Sequence, residues 1–388
     1  MNYIIGIMTY VTLFSIMPLL FPNIRKNWAS RIPFWIAVLV YLILIYNRPL
    51  FYMDTKVYIE HYKYITPSYL HDFNLLQVEP RSLFEYGFIL LILFFKKFNA
   101  SFRDLSICIT FLGIVCNYFF IKTLGEELEK ENGEIVFDED RTYSFLTYSF
   151  FLYYFGTFYN LVTIRGWLSI SLLMISAILI LKRKNILPYL FVFLSFTIQR
   201  GAIIGLFPLI FIHIAIARQD KPQKYIKNGN VRFLFWWIIL GILLIASFMF
   251  QQLFFQKAWQ SASNLLKGFY TLPTLSSANQ SINRLFLLLG YWVTGGEYVI
   301  TYKEGRFYKT LRNLYVVTII FAIIFAGYYN SNRFVDYFYI WTLPLSFYTF
   351  LICNEEHRNI AKLFYLVPCA LFILGLTREY MNWMIVWS

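Results

Sequence analysis

Long apolar stretches recur along this chain, at 3–21, 32–46, 83–95, 104–121, 143–163, 167–181, 186–198, 201–217, 233–254, 285–301, 313–329, 335–352 and 361–377. A helix needs about 20 apolar residues, with a range near 17–25, to cross the hydrocarbon core of a bilayer. Inside hydrocarbon each backbone N–H and C=O must be bonded within its own segment, so spans of this kind are helices. The expectation is an all-α, polytopic integral membrane protein with about 12–13 transmembrane helices. It forms a single membrane domain over residues 1–388, with no soluble domain.

Composition agrees. Charged residues make up 14% of the chain and hydrophobic residues 59%, whereas a soluble domain is about a quarter charged. The 21% of aromatic residues suits lipid-facing packing and interfacial belts. A net charge of +13 invites a nucleic-acid reading, but its distribution argues otherwise. Of 34 Lys and Arg, 20 lie in six short segments at 22–31, 96–103, 182–184, 218–232, 303–312 and 354–362. That is the positive-inside signature of membrane topology rather than a groove that tracks phosphates. No nucleic-acid partner is expected. Cys108, Cys116, Cys353 and Cys369 lack C-x-x-C spacing and read as small buried hydrophobes.

The charge pattern also orients the chain. Residues 3–21 have no basic segment before them and precede Arg25, Lys26 and Arg31, so they read as a first span rather than a cleaved signal. Basic 22–31 inside places loop 47–82 outside. Basic 218–232 inside, with 255–284 as a second outer loop, places Arg200 outside, 182–184 inside and Arg165 outside. The two walks differ by one crossing between 83 and 163. Segment 83–95 is short for a span, so the expectation is that it does not cross. The acidic stretch 123–142 is then cytoplasmic, and Lys96 and Lys97 lie outside against the charge rule.

Arginines collect at the outer ends. Loop 47–82 carries Arg48, Asp54, Tyr58, Tyr62, Glu79 and Arg81; Arg165, Arg200, Arg284 and Arg333 lie at the ends of later spans. A guanidinium is always charged and presents a planar fork of donors that matches phosphate oxygens two at a time. Several forks at one face suit a pyrophosphate whose lipid tail remains in the bilayer. The competing reading is that each arginine snorkels to headgroups or pairs with a nearby acid. Within five residues of Arg165 and Arg200 there is no acidic residue. Asp54 and Glu79 are the candidate general bases for deprotonating an acceptor hydroxyl, against the ordinary reading of solvated loop carboxylates.

Other chemistries lack their marks. No D-x-D provides a metal site for a nucleotide-sugar donor, and His61, His71, His213 and His357 show no ligand spacing. Walker, G-x-S-x-G and G-x-G-x-x-G motifs are missing. No metal and no cofactor are expected. Arg284 and Gly295 match an R-x(10)-G spacing, but 17 Arg and 18 Gly in 388 residues supply about one such match by chance.

Four places, in order, resemble the EpsG family of polysaccharide-biosynthesis membrane proteins, whose members include Wzy-type repeat-unit polymerases. They are the R-x(5)-D-T-x-x-Y run at Arg48, Asp54, Thr55 and Tyr58; E-x-G-F at Glu85, Gly87 and Phe88; Ile164-Arg165; and R-x-x-x-Y-F at Arg333, Tyr337 and Phe338. Two departures stand out: Gly166 where the family commonly has Gln, and Gln199-Arg200 where a histidine is often found. The resemblance implies a GT-C-like architecture in the bacterial cytoplasmic membrane. It implies metal-independent transfer of a glycan from undecaprenyl pyrophosphate onto a fresh lipid-linked repeat at the outer face. The substrate-binding set is then Arg48, Tyr58, Arg165, Arg200, Arg284, Arg333 and Tyr337. The partners implied are an undecaprenyl-pyrophosphate-linked oligosaccharide and the bilayer, with a chain-length regulator and a flippase in the same pathway.

Two different classes compete. A lipid-linked oligosaccharide flippase also has about a dozen spans, but an internal repeat is expected of it, and loops 47–82 and 255–284 share no sequence. A membrane O-acyltransferase needs a placed histidine, and His213 is the one clearly within a span. A ligase transferring the finished glycan is the nearest relative of the polymerase reading.

Overall fold

The structure, a computed structural model, describes residues 31–48, 50, 53–70, 86–132, 163–217, 235, 238–243, 306–324, 336–338, 340–342 and 344–345. The spans read at 3–21, 285–301 and 361–377, all but the last residue of 143–163, loops 218–232 and 255–284, and the residues Glu79, Arg284 and Arg333 lie outside these. Among the described residues the regular elements are all helical. Two compact units divide the chain, Met1–Ile216 and Ala217–Ser388.

In the first unit α1 is Arg31–Tyr46, α2 Met53–Tyr64, α3 Tyr86–Lys97, α4 Phe102–Asn132, α5 Ile164–Leu181, α6 Leu187–Ile198 and α7 Leu206–Ala217. 3-10 turns at Pro67–Leu70 and Arg200–Gly205 follow α2 and precede α7. Helix α8, Arg306–Ile324, belongs to the second unit. Among the described residues, Phe102–Leu128 in α4 and Ile164–Leu181 are long and apolar enough to cross a membrane, and Leu187–Ile198 and Gly201–Ala217 are shorter apolar helices. Large apolar side chains lie exposed along α1 (Trp35, Leu39, Ile43), α6 (Leu190, Phe193, Leu194) and α7 (Phe207, Ile210, Phe211, Ile214). Apolar faces of this extent are rare on soluble monomers and suit contact with lipid.

Three helices differ from the sequence expectation. Helix α2 lies within what reads as an outer loop. Helix α8 starts at Arg306, so most of the basic 303–312 segment is its first two turns. Helix α4 runs to Asn132, well past 121. Its start is fixed by a capping box: the Ser101 amide and hydroxyl each donate to Asp104 Oδ2 at 2.7 Å, and the Asp104 amide donates to Ser101 Oγ at 3.3 Å. Its far end is fixed by burial of Leu124, Glu127 and Leu128.

Side-chain contacts set the directions. Trp167 Nε1, in the first turn of α5, donates to the Thr110 carbonyl near the start of α4 at 3.5 Å. At the other end Glu127 of α4 meets Arg183, just past α5, at 3.5 Å. Helices α4 and α5 are therefore parallel. Helices α5 and α6 form an antiparallel hairpin. Its turn places Arg183 at φ 59, and Pro188 occupies the first turn of α6, where a missing N–H costs nothing. The Ser169 and Ser195 hydroxyls pair at 2.7 Å, and Ser176 Oγ donates to the Pro188 carbonyl at 2.9 Å. Small hydroxylated residues of this kind let apolar helices approach closely.

Candidate functional site

The α5–α6 hairpin brings two sequence-predicted arginines to one end. Ser169 faces Ser195, so Arg165, four residues before the first, and Arg200, five after the second, both lie at the hairpin's open end. Arg165 is the second residue of α5 and half-buried; Arg200 opens the 3-10 turn that leads into α7.

Arg48 reaches the same end along α4. It follows the last turn of α1, is 1% exposed, and its Nη2 donates to Ser106 Oγ at 3.1 Å. Ser106 lies one helical turn, about 6 Å, beyond the Thr110 level at which Trp167 packs. Arg103 on the same turn of α4 donates from Nη1 to the Tyr46 carbonyl and, at 3.0 Å, to the Arg48 carbonyl. A cation is thereby set on the carbonyl end of α1, where the helix dipole favours it. Arg48 is thus packed between α1 and α4.

The other motif residues gather around it. Asp54 is the second residue of α2, and Thr55 and Tyr58 on that helix are buried. The Tyr58 ring lies edge-on to Phe88 of α3 at 6.0 Å. Beside Phe88, a Cβ on Gly87 would stand 2.5 Å from Thr197 Oγ1, so α3 meets α6 two residues before Gln199. At its other end α3 is tied to α2. Lys96 Nζ donates to the Lys63 and Ile65 carbonyls at 3.1 and 2.7 Å and lies 5.5 Å from the Tyr62 ring centre. Tyr62 Oη donates to the Ala100 carbonyl at 2.5 Å. Burial lowers the Lys96 pKa; burial, aided by Asp104, raises that of Tyr62.

Both ends of α3 therefore sit at the Arg48–Arg165 end, and α3 does not traverse the layer formed by α4 and α5. Lys96 is engaged by carbonyls at the end of α2 and just past it.

Sequence reasoning missed four residues here. Ser106 and Arg103 hold Arg48 from another helix. Trp167 and Gly113 set the α4–α5 distance: a Cβ on Gly113 would stand 1.9 Å from Trp167 Nε1. The one available signal was Trp167 in the same I-R-G-W run as Arg165. In the second unit Tyr337 is buried in a helical stretch, next to Phe338, whose ring lies 5.2 Å from Phe321 of α8. His213, the candidate acyltransfer base, accepts or donates at Nδ1 with Tyr189 Oη at 2.7 Å. That pair joins the start of α6 to the far half of α7, at the end opposite Arg165 and Arg200.

The residues Arg48, Thr55, Tyr58, Gly87, Phe88, Ile164 and Arg165 thus lie toward one end of one unit. The EpsG family model aligns with residues 31–384. The chain belongs to the EpsG family. EpsG proteins are Wzy-type polymerase-like proteins of polysaccharide biosynthesis, and the helical, apolar character of this member fits a membrane protein. Comparisons with curated proteins and with solved structures gave no match.

Proposed function

We propose that this EpsG protein is a bacterial surface-polysaccharide polymerase acting at the outer face of the cytoplasmic membrane. The observation that carries the reading is the convergence of Arg48, Tyr58, Arg165 and Arg200 at one end of the first unit. The opposite end carries Lys182, Arg183 and Lys184, the basic group that the positive-inside rule assigns to the cytoplasm. The arginine end is then external, and the chain is multi-pass with the remaining apolar stretches as further spans.

The chemistry follows from charge. An acceptor sugar hydroxyl on a fresh lipid-linked repeat attacks the anomeric carbon of the growing glycan. The new C–O bond forms as the bond to undecaprenyl pyrophosphate breaks, and the hydroxyl proton passes to a carboxylate. Asp54, the second residue of α2, is one candidate for that base; Glu79 is the other. Guanidinium forks stabilise the charge that develops on the departing pyrophosphate. Lipid pyrophosphate is a good leaving group, so the donor needs no nucleotide and no metal. Arg284, Arg333 and Tyr337 are the remaining residues of the proposed substrate-binding set. A chain-length regulator and a flippase are the proposed pathway partners.

The acyltransferase reading is disfavoured by His213 lying at the end away from the arginines, engaged with Tyr189. The test is deletion of the gene, followed by sizing of the surface glycan on a gel. Collapse of a ladder to one repeat unit supports the polymerase. Loss of all surface glycan with lipid-linked repeats trapped inside points to a flippase, and an unchanged ladder removes the reading.

A further inference from the structure

Several buried hydroxyls in this fold donate to the carbonyl one helical turn back. Thr123 donates to the Phe119 carbonyl at 2.8 Å, Ser171 to Trp167 at 2.7 Å, Thr318 to Leu314 at 2.8 Å and Thr342 to Phe338 at 3.3 Å. Two threonines break the pattern. Thr110 is fully buried and has the Ser106 carbonyl one turn back, yet its Oγ1 makes no hydrogen bond. Thr163, 5% exposed, is the N-cap residue of α5, and among the described residues its hydroxyl neither caps the helix nor bonds elsewhere.

The two are neighbours through Trp167. Its amide donates to the Thr163 carbonyl at 3.1 Å, and its indole Nε1 to the Thr110 carbonyl at 3.5 Å. Both residues that carry unsatisfied hydroxyls therefore flank the first turn of the 18-residue helix α5. A buried hydroxyl without a partner costs about 1–3 kcal/mol, a cost that a bound acceptor would remove.

The surroundings state which acceptor. The first turn of a helix presents N–H groups with no intrahelical partner and the positive end of its dipole. No acidic residue lies in the first turn of α5, and its second residue is Arg165, half-buried and always charged. Hydroxyl donors, backbone N–H groups and a guanidinium together select an anion with several oxygens.

We infer that the first turn of α5 is a phosphate-oxygen site, in which the Thr163 and Thr110 hydroxyls join the Arg165 fork and the helix N-terminus. In the polymerase this site takes the pyrophosphate of the lipid-linked donor, an assignment that rests on the proposed function above. Gly166 suits the role, since the third residue of the helix then adds no side chain beside the anion.

The test is calorimetric titration of farnesyl pyrophosphate into the full-length protein in phosphatidylcholine nanodiscs. Thr163→Val and Thr110→Val should each weaken binding about tenfold while leaving the melting temperature unchanged or raised, because a hydroxyl without a partner is removed. Thr163→Ser should bind like the wild type. Loss of wild-type binding when phosphatidylglycerol enters the nanodisc supports the phosphate site and makes a lipid headgroup its occupant. Wild-type affinity in both valine variants, or no wild-type binding in phosphatidylcholine, overturns the inference. Threonine-dependent binding alongside an unchanged ladder in the deletion strain would leave the site standing and remove the polymerase.

Discussion

Glu127, 2% exposed on α4, lies 3.5 Å from Arg183, which follows α5 in the left-handed region at φ 59. Lys130, one turn along, also reaches it at 3.3 Å but is itself largely exposed. The cross-helix contact ties the Glu127 carboxylate to the α5–α6 turn, so it fixes the parallel alignment of α4 and α5.

Removal of Arg183 leaves a buried carboxylate with one solvent-screened partner. Arg183→Ala should destabilise the protein by about 1–3 kcal/mol, and Lys130→Ala by less than about 1 kcal/mol. Thermal unfolding in detergent measures both. Equal shifts would mean that the Arg183 contact does not hold the helices.

Gly113 and Trp167 should behave as a unit. A Cβ on Gly113 would also stand 2.3 Å from Trp167 Cε2, and overpacking of this kind costs about 1–3 kcal/mol. Gly113→Ala should lower the melting temperature, and Gly113→Ala with Trp167→Leu should recover part of the loss relative to Trp167→Leu alone. Additive effects in the double-mutant cycle would show that the two do not touch.

These two pairs show what the sequence exposes and what it hides. The arginines were legible because an isolated charge in an apolar run is costly at membrane depth. The hairpin at 182–184 was legible because basic residues mark a turn. The end of α4 was not, because a G-E-E-L-E-K run reads as a polar loop until Arg183, 56 residues later in the chain, is known to neutralise Glu127. Nor was the role of Gly113, since its partner lies on another helix. The same holds for Ser106, whose contact to Arg48 joins residues 58 apart.

Asn117 on α4 is 1% exposed, and neither amide atom makes a hydrogen bond. An unsatisfied amide in a buried helix face is a liability in hydrocarbon. Asn117→Leu, of similar volume, should raise stability by about 1–3 kcal/mol with polymer length unchanged. A stabilised protein that makes no polymer would instead give Asn117 a part in the chemistry.

Arg165→Lys keeps the charge and loses the fork. Polymer output should fall at least about tenfold, the loss typical of one charge-assisted bond, while membrane insertion is intact. Ser106→Ala acts one step removed, by taking the acceptor from Arg48 Nη2; Ser106→Thr should restore function. Wild-type chain lengths in Arg165→Lys would sink the pyrophosphate clamp.

Helix α3 has 12 residues, about 18 Å of helix and well short of the hydrocarbon core. One end meets Thr197, the other the α2 carbonyls, and both belong to the arginine end. Its outward stripe, Tyr86, Leu90 and Phe94, with Phe98 just past its end, recurs every four residues and is exposed, while Phe88, Ile89 and Ile92 on its other side are buried. A short helix with an aromatic stripe on one face and Lys97 exposed at its end suits the lipid–water boundary. If α3 does not cross, single cysteines at Lys63 and Lys97 react with a membrane-impermeant thiol reagent from the same side of intact cells. A cysteine at Lys184 reacts only after the membrane is opened. Labelling of Lys63→Cys and Lys97→Cys from opposite sides would make α3 a crossing, and with it move Arg165 to the cytoplasmic face.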